Sequence, residues 1–271
     1  MSEAIEQPGG TALPRPMGIG AILGTAWQFY RRHWQTLLAI AAVVVVPVTL
    51  LQYLLGEWVR TQGEVTVAGS NGVVVSTPTW AAGIAGLVAA LAGILMFLVL
   101  TGAITRAVAA EVAGEDPGVE QSYRFGFHRL GSVLLVSVLV GLATLAGLIV
   151  FVIPGIYIGV RLAVSIEALV VEGRRGTQAM ARSWELVGGH WWHAFATLLV
   201  AGLLTGVVNA LITTPFGATG WVAQAIADAV ATVITLPYSV LIGVLLYLDL
   251  RARKEHLSLE SLRTELRGSA A

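Results

Sequence analysis

Six stretches of this chain are each apolar over roughly the 20 residues that a helix needs to cross the hydrocarbon core of a bilayer. They run from about Gln35 to Leu55, Ala81 to Ile104, Leu130 to Val152, Gly155 to Val171, Trp192 to Ile212 and Val222 to Leu248. The third and fourth are joined only through "IPG", and Arg161 and Glu167 interrupt the fourth. Composition points the same way. Of 271 residues, 56% are hydrophobic and 12% charged, and the mean hydropathy is +0.79. A water-soluble domain carries about 25% charged residues, so this chain has half the usual means of covering a surface with polar groups. Lipid-facing helices need no such cover.

Basic side chains resist translocation and stay at cytoplasmic ends. With six spans and both termini inside, the inner segments hold 14 of the 16 basic residues. They fall in four groups: Arg15, Arg31 and Arg32; Arg106, Arg124 and Arg129; Arg174, Arg175 and Arg182; and Arg251, Arg253, Lys254, Arg263 and Arg267. Arg60 alone lies outside, and Arg161 lies within a span. Trp27, Trp34, Trp184, Trp191 and Trp192 then fall at the inner boundary, and Trp58, Trp80 and Trp221 at the outer. Indole prefers that zone because its ring is apolar and its N–H needs a polar partner. The bias toward arginine over lysine, 15 to 1, fits a GC-rich bacterial genome and a place in the bacterial cytoplasmic membrane. The opening "MSEAIEQPGGTALPRP" has no apolar core, so it is not read as a cleaved signal peptide. A formal net charge of zero argues against nucleic acid as a partner. With no cysteine, disulfides and thiolate metal sites are excluded.

Two spans are preceded by similar polar and aromatic ramps, "AWQFYRRHWQ" before the first and "SWELVGGHWW" before the fifth. In the first, Ile19, Ile22, Leu23, Ala26, Trp27 and Tyr30 follow helical spacing on one face, with Gln28, Arg31 and Arg32 elsewhere. In the other, Met180, Trp184, Val187 and Trp191 share a face, with Gln178, Arg182 and Glu185 away from it. Before span three, Val119, Tyr123, Phe127 and Leu130 form a third such row. The expected fold is therefore an all-α membrane protein of six transmembrane helices. They form three hairpins, each preceded by a cytoplasmic-side interfacial amphipathic helix. A disordered tail (1–16) precedes a membrane domain (17–250) with units at about 17–104, 105–171 and 172–250, and a cytoplasmic tail (251–271) follows. In that tail Leu259, Leu262 and Leu266 suggest a short helix.

Smaller features refine this plan. "EVTVAGSNGVVVST" alternates around Asn71-Gly72, a pair that favours a two-residue hairpin, so an external β-hairpin or a disordered loop is expected there. Ala82/Gly86, Ala89/Gly93, Ala143/Gly147, Gly202/Gly206 and Ala223/Ala227/Ala231 stand at four-residue spacing, which lets helices approach closely in lipid, within the bundle or across a dimer face. Pro47, Pro154 and Pro237 should kink or end helices.

Two segments carry a family likeness. "EGRRGTQAMARSWELVGGHWW", with Glu172, Arg182, Ser183 and Trp184, resembles the lead-in to the fifth span of the glycerophosphodiester phosphodiesterase membrane-domain family of bacterial proteins. "LYLDLRARKE", with Asp249 and Arg251, is similar to the signature closing that family's last span. The opening "RPMGIGAILGTAWQFYRRHW" looks like its start, so the likeness covers most of the chain beyond residue 15. It implies membrane architecture and not phosphodiesterase activity. In relatives that activity belongs to a barrel of about 250 residues, and about 20 residues follow the last span here.

Ionisable groups inside spans are the first candidates for chemistry, because burying charge in lipid is costly. Arg161, Glu167 and Asp228 are the three. If spans four and six both start at the outer face, Arg161 and Asp228 each lie roughly 9–10 Å below it at about 1.5 Å per residue, and an ion pair between them is expected. Glu167, near the inner end, is expected to snorkel or to bond neighbours beside Ser165. Asp249 and Arg251 read as a solvated pair at the exit of span six. His190 and His193 stand three apart with only Glu185 as an obvious third ligand, so no metal site is expected. No cofactor is expected either, and no nucleophile, acid and base cluster marks a catalytic site.

These residues favour a non-enzymatic membrane protein that organises lipids or a membrane-protein partner, with the anionic inner leaflet attracting its basic, tryptophan-rich ramps. The alternative is a small-solute or lipid transporter or channel whose path is lined by Arg161 and Asp228.

Overall fold

The computed structural model describes residues 16–62, 64–67, 73–76, 79–112, 130–174 and 176–255. Most of the N-terminal tail, the third lead-in up to residue 129 and the tail leucines Leu259, Leu262 and Leu266 lie outside the described residues. Six helical segments are long and apolar enough to cross a membrane: Ile19–Thr61, Trp80–Thr105, Gly131–Ile149, Val152–Glu172, Trp191–Phe216 and Trp221–Glu255. The chain is a multi-pass membrane protein on that ground.

Helix α1 (Ile19–Thr61) joins the first lead-in and the first span in one 43-residue run. Its backbone leaves helical geometry at His33 (φ −116°, ψ 21°), where the polar ramp gives way to the apolar stretch. Pro47 does not end this helix; it sits on an exposed face within α1. Strands β1 (Glu64–Val67) and β2 (Val73–Ser76) then form an antiparallel ribbon. The expected hairpin is present, but its register sets Val67 opposite Val73. That leaves residues 68–72 as the connection, so Asn71-Gly72 is not a two-residue turn. At the foot of the ribbon, Trp58 and Trp80 meet edge to face with centroids 6.3 Å apart.

Helix α2 (Thr79–Val112) returns across the bundle. Helix α3 (Leu130–Val150) ends at Phe151, which is extended, and α4 (Val152–Arg161) starts at once. Pro154 falls in the first turn of α4, where its missing N–H has no partner to lose. The tight α3–α4 return depends on two glycines. A Cβ on Gly147 would stand 2.9 Å from the Gly155 Cα, and one on Gly155 would stand 2.4 Å from the Leu148 Cγ. The Ala143/Gly147 row is thus a packing surface within the chain. Gly86, Gly202 and Gly206 meet nothing within 4 Å, so the expected packing rows at Ala82/Gly86 and Gly202/Gly206 are not used among the described residues.

The fourth span is two short helices rather than one. Between α4 and α5 (Ser165–Glu172) lie three non-helical residues, 162–164. Gly173, in the left-handed region at φ 68°, ends α5. Helix α6 (Thr177–Val187) follows, then α7 (Trp191–Thr213), a short 3-10 turn (Thr214–Phe216) and α8 (Trp221–Glu255).

Helix α8 is the hub, packing against α1, α7, α2, α5 and α6. From Val240 to Ala252 nearly every residue of α8 is buried, including Leu241, Ile242, Leu246, Tyr247 and Leu248. A helix covered on all sides can be apolar all round, and from Val240 to Leu248 this one nearly is. By contrast, Leu203, Val207 and Leu211 of α7 and Ile84, Leu87 and Leu91 of α2 are exposed, which suits contact with lipid.

Gly155→Ala is expected to lower stability by about 1–3 kcal/mol through overpacking, while Gly202→Ala leaves it unchanged. Thermal unfolding in detergent reads both, and equal melting of the two variants would contradict the close α3–α4 approach.

Candidate functional site

At the C-terminal end of α8 the apolar pattern stops and charge is buried. Helical spacing sorts the residues there. Tyr247, Arg251 and Glu255 stand at i, i+4 and i+8 on one face, and Asp249 and Arg253 at i and i+4 on another. Arg251 Nε donates to Glu255 at 3.1 Å, and Arg253 Nε donates to Asp249 at 2.8 Å.

The first face meets α5 and α6. Glu172, the last residue of α5, accepts from Arg182 Nε at 2.8 and 3.0 Å, from Arg174 Nε at 2.6 Å and from the Tyr247 hydroxyl at 2.8 Å. Arg251 Nε lies 3.7 Å from the same carboxylate, and Arg251 also donates to the Tyr247 oxygen at 3.3 Å. Arg182 forks, with its other nitrogens on Glu255 and Glu185. Two carboxylates and two guanidiniums, drawn from three helices, therefore alternate in a closed cluster. Burial alone pulls the Arg182 guanidinium down, but its bonds to Glu172 and Glu255 outweigh that and hold it firmly charged.

The second face meets α7 and the chain's beginning. Asp249 is fully buried and accepts from His193 at 3.0 Å, from Arg253 and from the Met17 backbone N–H at 2.5 Å. Arg253 returns to the Met17 carbonyl at 2.6 Å. One acid and one base thus grip both polar groups of a single peptide residue ahead of α1.

Ser183 explains the break in span four. Its hydroxyl donates to the Arg161 carbonyl at 2.9 Å and accepts from the Val164 N–H at 3.3 Å. Backbone groups freed inside a membrane need internal partners, and α6 supplies one with a side chain on each side of the gap. Arg161 Nε donates to the Tyr157 hydroxyl at 3.1 Å, and another of its nitrogens to the Trp184 carbonyl at 2.8 Å. Its guanidinium lies 4.5 Å from the Trp184 ring centre.

Several expectations are corrected by this geometry. Arg161 and Asp228 do not pair. The break after Arg161 carries its guanidinium onto Trp184, one residue from the Glu185 carbonyl that Lys254 caps. Asp228 lies in the opposite half of α8 and accepts from the Tyr53 hydroxyl. Asp249 and Arg251 are neither solvated nor partners, because residues two apart on a helix face different ways; Arg251 is only 4% exposed. Glu167 does not snorkel. It is buried against Gly243, with one carboxylate oxygen lacking a hydrogen-bond partner, and the Ser165 hydroxyl donates to Leu162 instead. On α6 the buried face is Ala179, Arg182, Ser183, Leu186 and Val187, so Arg182 points inward while Trp184 is exposed. Val187 is the one residue of the expected apolar row of α6 that is buried.

Of the tryptophan anchors, Trp27, Trp34, Trp184 and Trp192 are exposed, Trp192 by 75%. Trp191 is partly covered, stacking on Phe195 and donating to the Tyr157 carbonyl at 3.3 Å. His190 and His193 do not converge on a third ligand; among the described residues no group of three His, Cys, Asp or Glu side chains could hold a metal. Sequence reasoning missed Tyr247, Glu255, Arg253 and Tyr53, and it weighed His193 only as a metal ligand rather than as a partner of Asp249. For the first three the signal was the four-residue spacing on α8; for Tyr53 there was none.

No family model, characterised protein or solved structure matches the chain.

Removing one partner of a buried ion pair strands the other, at about 3–5 kcal/mol. Arg182→Ala should therefore destabilise on that scale, and Arg182→Lys should rescue little, since an ammonium lacks the fork that reaches Glu172 and Glu255 together. Chemical denaturation in detergent measures both; a lysine variant as stable as wild type would sink the fork. A second expectation concerns acid. Burial first, then the nearby Arg253 and Lys254 charges, lowers the His190 imidazole below its ordinary value. The unfolded chain then binds that proton more readily. The contribution is full above about pH 6.5 and fades as pH falls below it. A melting-temperature series from pH 7.5 to 5 should flatten in His190→Gln; parallel curves would contradict it.

Proposed function

We propose that this chain is a non-enzymatic membrane protein whose arginine-rich end is a rigid platform for the anionic inner leaflet or for a partner held there. The carrying observation is the buried clasp of Glu172, Arg182, Arg251 and Glu255, with Asp249 and Arg253 beside it. Within the clasp these charges are matched to one another rather than held apart as an acid and a base for a substrate. What the clasp does is hold α6 against α8 so that Trp184 faces outward, with Trp192 close by at the start of α7. Indoles held rigidly lose little freedom on entering an interface.

In this reading the six spans form three hairpins with cytoplasmic lead-ins, both termini face the cytoplasm, and the membrane is the bacterial inner one. Membership of the glycerophosphodiester phosphodiesterase membrane-domain family is part of the same proposal. Its support is spatial. Glu172, Arg182, Ser183, Asp249 and Arg251, singled out by two motifs far apart in sequence, meet at one end of the fold. The transport alternative loses its shared Arg161 and Asp228 path, because those groups occupy different ends.

The chain lacks cysteine, so single introduced cysteines report cleanly. Gln178→Cys is expected to be shielded from a membrane-impermeant maleimide in intact cells and Ala218→Cys to react. Added phosphatidylglycerol should raise the melting temperature of detergent-solubilised protein more than phosphatidylcholine does, with the difference reduced in Trp184→Ala/Trp192→Ala. Reversed labelling would overturn the orientation, and an equal response to both lipids would overturn the platform.

A further inference from the structure

At the end of the bundle away from the clasp, the α1 terminus and the turn before α8 flank a half-open cavity of about 410 Å³. Gln52, Tyr53, Glu57 and Arg60 line it from α1, and Trp221 and Gln224 from α8. Tyr53, Glu57 and Arg60 stand at i, i+4 and i+7, so one face of α1 supplies all three. Gly217 and Gly220 in the facing turn carry no side chain into the space.

Its lining charges balance, but a further carboxylate lies behind the wall. Arg60 and Glu57 pair at 3.3 Å across an exposed mouth. Asp228, one turn below Gln224 on α8, is joined to the cavity wall by the Tyr53 hydroxyl. Among the described residues no cation lies within ion-pair distance of that carboxylate. A carboxylate within a span is costly unless something offsets its charge, and a single neutral hydroxyl offsets little. Two aromatic residues, Tyr53 and Trp221, line the cavity. Their faces attract a weakly hydrated ammonium, whereas sodium or magnesium ions demand a shell of oxygens.

We propose that this cavity binds a small organic ammonium group, held by the Trp221 and Tyr53 rings and drawn inward by Asp228. The volume suits such a group, at the lower end of ligand pockets of about 300–1,000 Å³. Gln52 commits one of its two amide N–H groups to the Ala89 carbonyl at 3.1 Å, and its carbonyl oxygen is an acceptor that suits a cationic guest. The ammonium could belong to a free solute or to an ethanolamine lipid headgroup, which share this chemistry. The site does not depend on the platform reading, since no residue is common to the two.

The test is direct binding of radiolabelled tetramethylammonium to the purified full chain, with sodium chloride and tert-butanol as competitors. Saturable binding that neither competitor displaces at equal concentration is expected. Asp228→Asn should weaken it by about tenfold or more, and Trp221→Leu by several-fold, on the scale of a desolvated cation and ring contact. Tyr53→Phe keeps the ring and frees the carboxylate, so it should bind at least as well as wild type. If Asp228→Asn fails to elute as a folded species, Trp221→Leu and Tyr53→Phe carry the test in opposite directions. Repeating the titration in nanodiscs separates the sources. Weaker binding in phosphatidylethanolamine than in phosphatidylglycerol assigns the site to a headgroup, and equal binding to a free solute. No saturable binding, displacement by sodium chloride or tert-butanol, or a folded Asp228→Asn that binds like wild type would overturn the proposal.

Discussion

The contact between Glu172 and Arg182 is the one on which the arginine-rich end depends. Both groups are almost without solvent, and each is held by further partners, so neither can be moved alone without leaving a bare charge in a poorly solvated place. Because Glu172 closes α5 and Arg182 sits in α6, the pair folds these two short helices back on each other. Because Arg182 and Arg251 share Glu255, it also pins that fold to α8. Such pairs add little net stability over a well-packed apolar core. What they supply is register, since a fork of N–H groups accepts only one arrangement of carboxylates.

The broken fourth span follows from the same contact. Once Arg182 is seated, Ser183 falls opposite the gap between Arg161 and Val164, and its hydroxyl serves the backbone on both sides. An uninterrupted helix would satisfy its own backbone but would carry Arg161 along one lipid-bounded cylinder. Breaking it lets the guanidinium reach the Trp184 carbonyl and ring. The hydrogen-bonding demand of lipid is met here by a neighbouring helix rather than by the helix itself.

The two ends of the bundle differ in kind. At the clasp, acids and bases meet in matching number and close the interior. At the other end a cavity opens between α1 and α8, and Asp228 faces it through one tyrosine. Between them α8 is sheathed by α1, α2 and α7, with apolar side chains such as Leu241 and Leu246 packed on every side. Glu167, buried against Gly243 with one oxygen unpartnered, lies within this sheath.

Span number and position were readable because they rest on a one-dimensional property, the length of apolar runs against a fixed bilayer thickness. The two-stranded ribbon was also visible in the alternation of residues 64–76, though not its register. The importance of Glu172, Arg182 and Asp249 was legible only as motif, and the pairing drawn between Asp249 and Arg251 was wrong because proximity in sequence is not proximity on a helix. The Arg161 and Asp228 assignment failed for a related reason. Depth was counted from an assumed outer boundary at Gly155, yet Arg161 and its neighbour Tyr157 meet Trp184 and Trp191 of the fifth-span lead-in. Sequence alone determined that this chain lives in lipid and where its helices lie, since solvent preference is a sum over local residues. Which charges face each other was decided by the tertiary structure, because an ion pair needs two side chains brought together from distant helices with a distance and an angle that no linear pattern contains.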